Sequence, residues 1–209
     1  WVHFPEGHGG LGVNPRLQAI ATRRIIDAGG PLGGMRNPIG YGMCAPAVEV
    51  HGTEDQKKLL RPLFTNEHIW CQLFSEPGAG SDVASLATRA DRDGDEWVLN
   101  GQKVWTTLAH VARYGLLIAR TDPELPKHRG ITAFIVDMNA QGVETRPLRQ
   151  MTGDAEFNEV YFTDTRMPDE MRLDDVGRGW AVSITTLMNE RVSIGAGTSY
   201  FAADTPELF

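Results

Sequence analysis

Two short stretches of the sequence concentrate the residue types that hold small anionic or planar ligands. The first is Ser75-Glu76-Pro77-Gly78-Ala79-Gly80-Ser81-Asp82, directly after the apolar run Ile69 to Phe74. Glycines at 78 and 80 let the backbone turn tightly and come close to a ligand. Successive exposed N–H groups in such a turn form an anion-binding concavity, and Ser75 and Ser81 add hydroxyl donors. The same composition also suits an ordinary loop between strands. The second stretch, Trp105-Thr106-Thr107, sets an indole beside two hydroxyls. That group can flank a planar ring and hydrogen-bond its edge. The alternative is a core tryptophan followed by two good strand formers.

Other chemistries find less support. Gly7-His8-Gly9-Gly10-Leu11-Gly12 satisfies G-x-G-x-x-G and precedes a helix, with Asp27 twenty residues after Gly7. A dinucleotide fingerprint needs a preceding parallel strand and an acidic residue that ends a second strand. Here Pro5 shortens any such strand, and Asp27 closes a helix. The histidines at 3, 8, 51, 68, 110 and 128 show no H-E-x-x-H or paired spacing, so no metal site is expected. His110 follows the Trp-Thr-Thr strand and reads as a polar loop position. Cys44 and Cys71 are too few for a disulfide framework and read as buried reduced thiols, which implies a reducing, cytoplasmic compartment. The 20 Lys plus Arg against 27 Asp plus Glu give a net charge of -7, which argues against a nucleic-acid surface. No apolar run approaches the ~20 residues of a membrane span, and Tyr114 to Ala119 reads instead as a core strand.

Three zones of differing hydrophobic period must position these residues. Residues 1–68 read as helical. Asn14-Pro15 supplies an N-cap and a first helical position, and Leu17, Ile20, Ala21 and Ile25 then fall near one stripe. Thr53-x-x-Gln56 is a capping box that starts a helix ending at 62–65. The segment around GYGMCAPAVEVHG fits no single type. Residues 69–178 change to a period near two. Ile69–Phe74 is a strand candidate. Asp93-Gly94 and Asn100-Gly101 read as hairpin turns that divide 85–107 into three short strands. Further strands are expected at 114–120, 131–137, 143–149 and 157–163. Short antiparallel strands without intervening helices imply a barrel or sandwich. From Gly179 the chain returns to helix, with Trp180, Ile184, Leu187 and Ile194 on one stripe. A lone amphipathic helix cannot bury its own face, so either a partner covers it or, the favoured reading, 179–209 begins a C-terminal helical domain that lies mostly outside this sequence.

The order of these segments resembles the acyl-CoA dehydrogenase family. Strand, SEPGAGSD, Asp-Gly hairpin and NGQKVWTT carry the likeness. Phe4-Pro5-Glu6-Gly7-His8-Gly9-Gly10-Leu11-Gly12 is similar to its FPEEYGGLG-type opening segment. His51-Gly52-Thr53-Glu54-Asp55-Gln56-Lys57 is similar to its HGTEEQK helix start, and Phe162 to Pro168 to its F-x-D-V-R-V-P turn. The chain departs from the common pattern at Leu73-Phe74 and at Leu108-Ala109-His110.

The resemblance implies an α+β protein: a partial N-terminal helical domain (1–68), a middle antiparallel β-domain that binds FAD (69–178) and the first helix of a C-terminal bundle (179–209). By position it implies that Phe74 and Ser75 contact the pyrimidine side of the ring, Phe74 through its backbone. Gly80 and Ser81 would meet the pyrophosphate. Trp105 would pack against the ring, with Thr106 beside it and Thr107 near N5. It implies α,β-dehydrogenation of an acyl-CoA thioester, an electron-transferring flavoprotein as oxidant, and a homo-oligomer, dimer or tetramer. In most of the family the catalytic base lies in the C-terminal domain. In a minority it precedes an Arg on the first helix after the β-domain, where Glu190-Arg191 stands here. Helical spacing puts Arg191 within the apolar stripe and Glu190 on its edge, and a structural ion pair is the competing reading. Two rivals share the fold, an oxygen-reactive monooxygenase or oxidase and a non-catalytic subunit of a heteromer.

Overall fold

The computed structural model describes residues 1–30 and 33–202. In chain order its helices are α1 (Leu17–Asp27), α2 (Gly33–Arg36), α3 (Ala45–His51), α4 (Glu54–Lys57), α5 (Leu60–Phe64) and, after the strands, α6 (Gly179–Ala202). A π-helical turn, Gly40–Cys44, runs directly into α3. The strands are β1 (Trp70–Leu73), β2 (Arg89–Asp93), β3 (Glu96–Thr107), β4 (Tyr114–Arg120), β5 (Ile131–Asp137), β6 (Val143–Leu148), β7 (Phe157–Pro168) and β8 (Arg172–Leu173).

Both faces of the sheet are covered, which explains why β4 and β5 read as unbroken apolar runs. Leu116 and Ile118 of β4, with Ile131, Ala133 and Ile135 of β5, point into a core shared with α3, α5 and α6. Leu117, Ala119, Phe134 and Val136 point the other way, against Trp97, Leu99, Val160 and Phe162. Each fully buried Leu or Ile side chain stabilises the fold by about 1.5–3 kcal/mol, so this two-sided pattern fixes the register. The strand order is β6-β7-β3-β2-β4-β5-β8, with β1 added beside β4. The pairings are antiparallel as expected, apart from β1 with β4 and β2 with β4, which are parallel, so the sheet is mixed.

Several local expectations are revised. Asn100-Gly101 is no hairpin turn: the chain runs straight through it as β3, and only Asp93-Gly94 reverses direction. A Cβ on Gly101 would lie 2.5–2.8 Å from Thr88, so glycine serves close approach here. Asn14 does not cap α1 directly. Its Oδ1 accepts from the Arg16 N–H at 2.9 Å, and the helix begins after that turn. The expected stripe of α1 is not buried. On α6 the buried positions among the described residues are Gly179, Val182, Ser183 and Thr186, while Ile184 is exposed. The Ser183 and Thr186 hydroxyls donate to the carbonyls of Gly179 and Val182, so these polar side chains enter the core already satisfied. The side chain of Ile194 lies outside the described residues. The capping box at Thr53 and Gln56 forms in both directions, and Cys44 and Cys71 are free and buried.

Among the described residues no helix is long and apolar enough to cross a membrane, and no cluster of His, Cys, Asp or Glu could hold a metal ion.

Candidate functional site

The chain leaves β1 through Phe74 and Ser75 and reverses at once. Glu76 and Ala79 exchange backbone hydrogen bonds at 2.9 and 3.1 Å around Pro77-Gly78. This turn consumes the amides of Glu76 and Ala79. The N–H groups of Gly78, Gly80, Ser81 and Asp82 donate to no acceptor among the described residues. A Cβ built on Gly78 or Gly80 would meet no protein atom, so the space above both glycines is left by the protein itself.

Facing this loop, β3 carries a bulge. Lys103 pairs with Val160 and Thr106 with Asn158, so Val104 and Trp105 together oppose only Glu159. Trp105 takes φ 58°, a left-handed conformation that a bulky residue rarely adopts. A bulge re-aims the side chain it carries. Here the residue stands 62% exposed, and its ring meets that of Phe157 edge-on at 6.1 Å between centroids. Among the described residues no packing contact accounts for a strained tryptophan directed outward, and such strain collects at ligand sites.

Between loop and bulge lies a cavity of about 410 Å³, within the range of small-molecule and cofactor sites. Its lining includes Phe74, Ser75, Gly80, Ser81, Trp105, Thr107 and Glu190, together with Ile39 just before the π-helical turn, Met43 within it and Leu187 of α6. The structure therefore gathers seven of the eight residues singled out from sequence. The eighth, Thr106, lies on the opposite side of β3. It is buried, its backbone carbonyl accepts from Asn158 Nδ2 at 3.0 Å, and its hydroxyl has no partner among the described residues. The Phe74 carbonyl is also engaged elsewhere, because Lys103 Nζ donates to it at 3.1 Å. That oxygen keeps one lone pair for a ligand.

Glu190 reaches the cavity because α6 packs closely both before and just after it. A Cβ on Gly179 would strike the Thr132 backbone at 2.7 Å, and one on Gly42 would strike Ser193 at 2.7–2.8 Å. Glu190 is half-buried at the cavity edge, whereas Arg191, expected in the apolar stripe, is exposed.

The donor set fits FAD, the cofactor that the sequence resemblance implies. Unpartnered amides and two serine hydroxyls suit a phosphate tail, and an exposed indole beside a threonine hydroxyl suits a flat heteroaromatic ring.

A family profile described as "Acyl-CoA dehydrogenase, middle domain" matches residues 71–165. "Acyl-CoA dehydrogenase FadE34" of Mycobacterium tuberculosis is 47% identical over 201 residues, covering 94% of this chain and 27% of that protein. Among solved structures, "Tcur3481-Tcur3483 steroid ACAD" superposes with a TM-score of 0.79 at 34% identity, over 93% of this chain and 50% of that one. The ChsE4-ChsE5 complex from Mycobacterium tuberculosis gives 0.74 at 35%, over 90% and 48%. The chain thus spans about half the length of these solved relatives, and less of FadE34.

Proposed function

Since the chain belongs to the acyl-CoA dehydrogenase family, we propose that its cavity holds the isoalloxazine end of FAD and that the protein takes part in α,β-dehydrogenation of an acyl-CoA thioester. The observation that carries this reading is the convergence of the 75–81 loop, the Trp105 bulge and Glu190 on one cavity. When bound there, FAD supplies the acceptor for the hydride that leaves Cβ of the acyl chain.

The chain's own residues do the rest. The amides of Gly80 and Ser81, with the Ser81 hydroxyl, hold phosphate oxygens. The Ser75 and Thr107 hydroxyls donate to the polar edge of the ring, and the Trp105 indole covers one face and excludes water from it. Glu190 accepts the α-proton of the thioester, a role that needs a carboxylate at the cavity edge and partly withdrawn from solvent. Ile39, Met43 and Leu187, apolar residues lining the same cavity as Glu190, contact the acyl chain.

An electron-transferring flavoprotein as oxidant and assembly into a dimer or tetramer belong to the same reading. Two of the solved relatives are named as pairs, so the subunit partner is either a second copy or a homologous chain. One of them is named a steroid enzyme, so a substrate panel should include steroid-bearing as well as linear acyl-CoA thioesters.

The deciding measurement is the visible spectrum of the purified protein with added FAD, followed by anaerobic bleaching with the acyl-CoA panel. A bound flavin band that bleaches with one class of thioester is expected. In Glu190→Gln the bleaching rate should fall by at least about 100-fold, as for loss of a general base. An unchanged rate assigns the base elsewhere.

A further inference from the structure

Behind the cavity wall lies a charged pair that the proposed reaction does not use. Lys103 has no solvent exposure. Its Nζ donates to the Phe74 carbonyl at 3.1 Å and to Glu76 Oε1 at 2.8 Å. The Glu76 carboxylate in turn accepts the N–H of Ala87 at 2.6 Å and of Thr88 at 3.0 Å. One ammonium group thus joins three pieces of backbone: β3 just before its bulge, the chain as it leaves β1, and the segment that ends the 76–88 excursion. A further tie runs beside it, from the Val104 N–H to the Ser75 carbonyl at 2.9 Å.

Burial pushes the Lys103 ammonium down to about 8, against the pull of Glu76. Burial pushes Glu76 up, but Lys103 and the Ala87 and Thr88 contacts outweigh it and hold the carboxyl below its usual value. A buried ion pair contributes little net stability compared with an apolar pair of the same volume, because desolvation cancels much of the attraction. What such a pair does supply is direction, since each hydrogen bond is satisfied at only one arrangement of the segments. Here the arrangement being specified is the spacing between the two cavity walls.

We infer that Lys103 and Glu76 are positioning residues that hold the 75–82 loop against the Trp105 bulge and so set the width of the cavity. The inference rests on the flavin reading only for what the cavity contains.

The test uses the full chain with Lys103→Met, Glu76→Gln and the double variant. Each single change strands a buried polar partner and should lower the unfolding midpoint, whereas the double change removes both charges and should recover most of it. Hydrogen exchange without added ligand gives the discriminating readout. In the double variant, peptides covering 75–88 and 104–107 should exchange at least about tenfold faster while 114–120 stays unchanged. Unchanged exchange in 75–88, or equal acceleration everywhere, overturns the inference. With FAD as probe, the double variant should bind at least about tenfold more weakly and with an altered visible band, since a loosened site must be ordered on binding. Wild-type affinity and band shape in that variant also overturn it. A wild-type chain that takes up no FAD removes the flavin reading instead, and the exchange result alone then decides on the clamp.

Discussion

Strand β3 contains two irregular places a few residues apart, and they have opposite origins. At Gly101 the register shifts because the protein demands it: the backbone passes so close to Thr88 that no side chain fits. At Trp105 the register shifts again, yet the ring it carries is mostly exposed and the space facing it is open. The glycines divide in the same way, with Gly101 crowded by its neighbours and Gly80 by none. Irregularity explained by internal contacts serves the fold. Irregularity with no internal beneficiary indicates something that comes from outside.

This contrast can be broken by substitution. Gly101→Ala should cost about 1–3 kcal/mol of stability in urea unfolding, as overpacking against rigid backbone does, while ligand affinity of the folded fraction changes little. Trp105→Gly should do the reverse. It removes a non-glycine residue from positive φ, so the unfolding midpoint should hold or rise, while FAD affinity in a fluorescence titration falls about tenfold, the upper range of an aromatic contact. A loss of stability matching that of Gly101→Ala would show that the bulge serves the fold after all. Gly80→Ala has room for its methyl within the protein and should leave stability within about 0.5 kcal/mol, with a smaller loss of affinity than Trp105→Gly.

The far end of β3 supplies a control. Hydrogen bonding to Arg172 holds Asp169 at about 2, below its ordinary 3.8, and Trp97 Nε1 donates to it at 2.7 Å. Because the folded-state value is depressed, this stabilisation is complete above the unfolded value and is lost as pH falls toward 2. In Asp169→Asn the decline of the urea midpoint between pH 5 and pH 3 should be slightly shallower, with the cavity unaffected.

Strands with a strong period were legible before any coordinates. Tyr114–Arg120 and Ile131–Asp137 form where their apolar runs place them, because two-sided burial leaves no other register. Asn100-Gly101 misled for a physical reason: the glycine that permits a tight turn is also the one that permits close approach, and only Thr88 distinguishes the two uses. Lys103 gave no signal at all. A lysine within a strand reads as solvent-facing, and its burial depends on Glu76, which local sequence assigns to an ordinary turn. The π-helical turn at Gly40–Cys44 was equally silent, since it reflects packing against α6 rather than local preference. Of the cavity lining, position along the chain is legible in the sequence. The side of the strand is not, so Thr106 was grouped with its neighbours although it faces away.

The cavity takes its lining from Ile39 and Met43 near the start of the chain, from the sheet in its middle, and from Leu187 and Glu190 on the last described helix. Any guest seated there would touch all three at once. Its free energy of association would then raise the resistance of the entire chain to unfolding by RT ln(1 + [L]/Kd), rather than that of one part. The midpoint of heat unfolding would climb steadily as the guest is titrated in.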